Sequence, residues 1–204
     1  MANFKTVAPG EVLAKTSRAL EANGFTVQVV TSGKDAKAKA LELLPKGAEV
    51  LTVTSQTVND IGLAAAINES GDYDAVRPKL AQLMGDPSKK REQRKLGAAP
   101  DFVVGSVHAI TEDGTVLIAS ATGSQLSPDV YGAGHVIWIV GAQKIVGDWE
   151  AAMARLQEHV FPLEDARALK AYGGHSSINK VVRFNKEAAP GRIDIILVQE
   201  ALGF

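Results

Sequence analysis

The 204-residue chain is 46% apolar and 22% charged, an ordinary globular composition with enough apolar mass for one sizeable core. Its 22 basic and 23 acidic side chains leave a formal net charge of -1, so no global field draws it to nucleic acid or to an anionic membrane surface. The absence of cysteine excludes disulfides, zinc–thiolate sites and iron–sulfur clusters held by its own thiolates.

The opening MANFKTVAPGEV has no basic segment followed by an apolar run, and no window approaches about 20 continuous apolar residues. A cytoplasmic protein without a membrane span is therefore expected. Gly10 to Asn23 sets Val12, Leu13, Thr16, Ala19 and Leu20 on one helical face, and Gly24 is suited to end that helix in the left-handed conformation. A β-branched strand, FTVQVV, follows, and then Ser32 and Asp35 stand at capping-box spacing before a helix that Pro45 and Gly47 stop. EVLTV, from 49 to 53, is a second strand. Strand, helix, strand and helix in alternation predict parallel pairing with crossover helices.

Further helices are expected over 57–66 and 73–84, after which KKREQRK, from 89 to 95, reads as a solvated basic helix face without interleaved aromatics. Three apolar, β-rich segments come next, DFVVGSVHAI, TVLIAS and HVIWIVG. Runs apolar on both faces imply strands covered on both sides. Glu112-Asp113-Gly114 suits a tight hairpin turn, so one antiparallel pair is expected within an otherwise parallel sheet. Asp148 caps a helix with the stripe Trp149, Met153, Leu156 and Val160, another helix runs from Leu163 to Tyr172 after Pro162 and leads into GGHSSINKVVRF, whose Gly173 to Ser177 reads as a flexible loop carrying His175, and Arg192 to Val198 is the last strand. With no repeat, low-complexity tract or linker, residues 1–204 are expected to form a single domain, with the helix of residues 1–24 packed on it.

The pieces AITEDGTV, SATGSQL, YGAGHVIWIVGAQKIV and DWEAAMARL, with LLPKGAEVLTVTSQTVNDIGL before them and RIDIILVQEALGF after, resemble in kind and order those of the LUD-type lactate-utilisation family. The resemblance spans about two thirds of the chain. It implies a three-layer Rossmann-like α/β sandwich like that of the glucosamine-phosphate isomerase, ribose-phosphate isomerase and CoA-transferase group. It also implies a place in lactate or organic-acid utilisation, alongside separate iron–sulfur redox proteins. Thr54-Ser55-Gln56-Thr57 departs from the Gly-Gly-Ser turn of many relatives.

Ligands of open α/β sheets sit outside the carboxyl ends of the strands, where the loops TSQT, TEDG and SATGSQ are expected to converge. Ser55, Gln56 and Thr57 precede a helix and either hold a phosphate or carboxylate or simply cap the helix. Gly123 allows close backbone approach, and Ser124 and Gln125 offer donors at short reach. His108 and Lys144 are further candidates, Lys144 standing either as an anion-binding cation or as a strand-end surface lysine. Glu112 is the candidate catalytic group, a nucleophile or general base in a turn that resembles the Glu-Asn-Gly turn of CoA transferases; the alternative is an exposed turn former. The expected ligand is a small anion, with CoA or a phosphate compound among the candidates, and no metal or covalently bound cofactor is expected. The alternatives are an independent CoA-transferase-like or sugar-phosphate-isomerase-like enzyme using Glu112, and a homo-oligomeric assembly module.

Overall fold

In the computed structural model, which describes residues 3–204, helix α1 (Gly10–Ala22) ends as its sequence predicts. Gly24 adopts φ +89°, its N–H reaches the Glu21 carbonyl and the Phe25 N–H reaches that of Leu20, so the last carbonyls of the helix are satisfied. Strand β1 (Thr26–Val30) leads to α2 (Gly33–Leu43), whose N-cap Ser32 accepts from the Asp35 N–H while its hydroxyl donates to the Asp35 carboxylate. Strand β2 (Glu49–Thr52) follows.

The helix expected over 57–66 is two, α3 (Gln56–Asp60) and α4 (Leu63–Asn68), because Gly62 takes φ +66° and breaks the ladder between them. A two-residue strand, β3 (Asp74–Ala75), precedes α5 (Val76–Leu83), and the basic stretch forms α6 (Lys90–Ala98), which buries none of its residues fully.

DFVVGSVHAI divides into β4 (Phe102–Gly105) and β5 (Ala109–Thr111), which belong to different sheets. The first sheet has six strands in the order β1-β10-β7-β4-β2-β3, completed by β7 (His135–Gly141) and β10 (Ile193–Val198), with every neighbouring pair parallel. The second has four strands in the order β8-β5-β6-β9, adding β6 (Val116–Ser120), β8 (Ile145–Val146) and β9 (Lys180–Phe184). The hairpin β5–β6 therefore stands in a sheet of its own rather than within the parallel one. KVVRF, to which the sequence assigns no element, is β9, which pairs antiparallel with β6 and covers its edge.

Side-chain alternation assigns the layers. Val136, Trp138 and Val140 of β7 join Leu13, Leu20, Ile193, Ile195 and Leu197 in one core, which also takes Ile110, Val116 and Ile118 from the small sheet. Ile137 and Ile139 point the opposite way and pack with Ala36, Ala40, Val58, Leu63 and Ile196 beneath α2, α3 and α4. The far face of the small sheet (Ala109, Leu117, Ala119) rests on Ala152, Leu156 and Val160. Those three belong to one continuous helical run: α7 (Trp149–Arg155), a wide turn Leu156–Val160, and α8 (Phe161–Tyr172). Pro162 lacks an N–H, and its ring crowds the carbonyl four residues back; the wide turn, in which the Phe161 N–H bonds the Leu156 carbonyl, relieves that clash without ending the helix. Among the described residues no helix is long and apolar enough to cross a membrane.

The turn Pro128–Gly132 is clamped against the end of α6: a Cβ on Gly132 would overlap the Ala98 carbonyl oxygen, which is backbone and cannot swing aside. Gly132→Ala is expected to cost about 2–3 kcal/mol, seen as a lower urea midpoint. An unchanged midpoint would show that this turn can move off α6.

Candidate functional site

Strands β7, β4 and β2 are adjacent and parallel, so the segments leaving their carboxyl ends emerge side by side. A cavity of about 550 Å³ lies there. Thr54 to Thr57 follow β2, Ser106 to His108 follow β4, and Lys144 follows β7; Ser120, Ala121, Thr122, Ser124 and Gln125 reach it from β6, and the wide turn Leu156–Val160 with α8 closes the opposite side. The fold thus brings Ser55, Gln56, Thr57, His108, Ser124, Gln125 and Lys144 to one cleft.

Glu112 is not among them. The hairpin explains why: His108 before β5 and Ala119 at the end of β6 are at the cleft, so the turn joining the two strands lies one strand length away, roughly 13 Å along the chain at ordinary rise per residue. There the Glu112 carboxylate pairs with Lys15 of α1 at 2.7 Å, and the Asn23 side chain donates to the carbonyls of Asp113 and Gly114. The turn is a structural anchor for α1, and Glu112 lies outside this cleft, away from the other candidate site residues.

Lys144 is only 4% exposed. Its ammonium donates to Thr57 Oγ1 (2.9 Å), Ser106 Oγ (3.0 Å) and the Val107 carbonyl (3.2 Å), all neutral oxygens. Burial, reinforced by the Arg155 cation and opposed by Asp60, pulls its pKa from 10.5 down to about 7. The reading of Lys144 as a strand-end surface lysine is thus overturned. One residue further along the same loop, Arg155 Nη1 donates to the His108 carbonyl at 2.5 Å, while its buried Nε and Nη2 have no partner. Two cationic side chains therefore rest on consecutive carbonyls, and neither has a carboxylate bonded to it among the described residues. His108, buried and facing those two charges, is held near pKa 3 and stays neutral. Its Nδ1 accepts the Ala119 N–H at 3.2 Å, which puts the ring hydrogen on Nε2.

The other candidates are partly engaged in shaping the walls. Ser55 caps α3 by accepting the Val58 N–H, and Gln56 donates to Asp60. A five-residue helix contributes little dipole, so the TSQT loop contributes side chains more than a helix terminus. In the SATGSQ loop, Ser120 Oγ accepts the Gly123 N–H, Thr122 donates to Ser124, and Gln125 Nε2 donates back to the Ala119 carbonyl. Gly123 has φ +88° and lies against the Lys180 side chain, lining a second cavity rather than the first.

Ser106 and Arg155 were not singled out from the sequence. Arg155 had a signal: it lies with Ala152 and Leu156 on the buried face of α7, where a charged residue calls for a reason. The second cavity, about 750 Å³, shares Thr54, Met84, Thr122, Ser124 and Gln125 with the first and adds Arg77 and Arg94 beside Leu51, Val53 and Leu80.

The described fold is similar to that of a DUF162 family protein from Deinococcus radiodurans, with a TM-score of 0.55 and 13% identity over 95% of this chain and 99% of that one. A slighter likeness, with a TM-score of 0.35, 13% identity and coverage of 58% of this chain and 44% of the other, is to eIF2B beta from Chaetomium thermophilum; it carries no argument. No curated protein matches the sequence. The family model of the LUD domain matches residues 13–198, nearly the whole described chain, and the chain belongs to the LUD domain family.

Proposed function

We propose that the cleft binds a small organic-acid anion of the lactate–pyruvate class, in the lactate-related role that LUD-domain membership implies. The observation that carries this reading is the buried Lys144 amine, which lines the cleft and has no carboxylate bonded to it among the described residues, with the Arg155 guanidinium on the neighbouring carbonyl of His108 adding to the positive potential there. Buried charge without a counter-charge is costly, and a ligand carboxylate would offset part of that cost. Ser106, Gln125 and the neutral His108 supply hydrogen-bonding groups suited to the oxygen at the second carbon of such an acid. Oxidation of that carbon needs an electron acceptor; a chain with no cysteine holds no iron–sulfur cluster on thiolates of its own, and separate iron–sulfur redox proteins are the partners proposed for that step.

Titration calorimetry with lactate and pyruvate tests the reading. Saturable binding of at least one acid is expected, weakened tenfold or more in Lys144→Met, a loss of about 1.4 kcal/mol. Absence of binding by either acid would sink it. The adjoining second cavity, with Arg77 and Arg94 beside an apolar wall, favours a second reading in which a longer anion of the CoA type runs through both. Competition between CoA and the small acid in the same titration decides between them.

A further inference from the structure

We propose that Lys144 is an imine-forming lysine, its Nζ adding to the carbonyl carbon of a 2-oxo acid held in the cleft. The inference rests on the reading of the cleft as an organic-acid site and assigns that site its chemistry.

A buried lysine that serves only as a structural tie is usually matched with a carboxylate. Here the partners are two hydroxyls and a carbonyl, and Asp60, the nearest acidic influence on the amine, accepts from Gln56 and the Gly203 N–H instead. The set also suits the neutral amine. Thr57 gives its hydroxyl hydrogen to the Leu202 carbonyl at 3.2 Å, so towards Lys144 it can only accept. The Val107 carbonyl likewise accepts. Ser106 has no other acceptor among the described residues, so its hydroxyl is available to donate to the amine lone pair, and a small rotation about its χ1 releases that lone pair for attack. Burial first, and like-charge repulsion from the guanidinium on the next carbonyl second, keep the amine near neutrality, an arrangement that activates lysine nucleophiles. His108 is held neutral and adds no second titrating cation.

The step balances. Nζ forms a bond to the carbonyl carbon as the C=O bond breaks; the oxygen departs as water, taking one hydrogen from the amine and one proton from solvent, and the protonated imine keeps the remaining N–H. The positive charge thus returns to Nζ, next to the carboxylate of the bound acid. No oxidant or reductant is needed. A cleft built in this way distinguishes a 2-oxo acid, which it holds as a hydrolysable imine, from the 2-hydroxy acid of the same skeleton, which has no carbonyl at the second carbon and is held without a covalent bond.

Treating the full chain at neutral pH with pyruvate and cyanoborohydride tests this. Reduction should fix one adduct per chain, with the mass of pyruvic acid less one oxygen, on the peptide that carries Lys144. Lactate should yield none, and Lys144→Arg should yield none while keeping its circular dichroism. Calorimetric binding of pyruvate without an adduct at Lys144 would overturn the inference and leave the organic-acid site standing. Adducts spread over the exposed lysines at the same rate would also overturn it. If neither acid binds and nothing is trapped, both readings fall.

Discussion

Trp138→Ala is expected to lower the free energy of unfolding by about 3–5 kcal/mol, the cost of emptying a fully enclosed aromatic site, measured as a fall in urea midpoint at unchanged slope. Trp138 stands in the third strand of the parallel sheet, with no exposed surface, between Phe25 (ring centroids 6.3 Å apart) and Phe184 (5.2 Å, edge to face). It therefore joins the first strand region, the central sheet and the outermost strand of the small sheet in one core. Its indole Nε1 also donates to Asp129 Oδ1 at 3.0 Å, and truncation would leave that buried carboxyl without its donor. Trp138→Phe separates the two effects: it retains most of the packing, loses the donor, and is expected to cost about 1–3 kcal/mol. A midpoint in Trp138→Ala close to that of the native chain would mean that the two sheets are not held together through this residue.

Asp129→Asn is expected to change the pH dependence of stability more than stability itself. Burial drives the Asp129 carboxyl from its ordinary 3.8 up to about 7, against the opposing pull of the Trp138 hydrogen bond and the Arg192 cation. Between about pH 4 and pH 7 the folded chain thus keeps a proton that the unfolded chain has released. Stability from this group is fully present below pH 4, falls as pH rises through that window and is level above it. Asparagine keeps an oxygen for Trp138 and has no charge to bury. The stability of the variant relative to the native chain should therefore rise by about 2–4 kcal/mol between pH 4 and pH 8. Taking the difference cancels the opposite trends of His108 and Lys144, whose lowered pKa values make stability rise with pH. A difference that stays constant over the window would show that Asp129 titrates as an ordinary exposed acid.

Local rules were legible in the sequence because their causes lie within a few residues. The Ser32–Asp35 box, the Gly24 stop, the Asp148 cap and the fully apolar runs of β7 and β10 each follow from short-range chemistry, and alternation of strand and helix carries through to the parallel sheet. Of the three loops expected to converge, TSQT and SATGSQ do line one cleft, together with His108 and Lys144, while TEDG stands at the far end of its hairpin.

Other features depended on partners distant in the chain. KVVRF shows no strand from its own residues, since its strand exists only through pairing with β6 some sixty positions earlier. Lys144 reads either as an anion-binding cation or as a surface lysine, and the sequence does not choose, because burial of an amine is decided by Thr57, Ser106 and Val107, none of which is its sequence neighbour. Glu112 was attractive as a reactive group from its turn motif alone, yet a hairpin whose open end faces the cleft must carry its turn away from it, and the identity of that end is set by which sheet the hairpin joins. Sequence by itself determined most of the helices, the central strands of the parallel sheet, the family and the edge of the sheet where the loops gather. Tertiary structure decided which charges lose their water and their counter-ions there, because desolvation is a property of the packed surroundings and not of the residue that is buried.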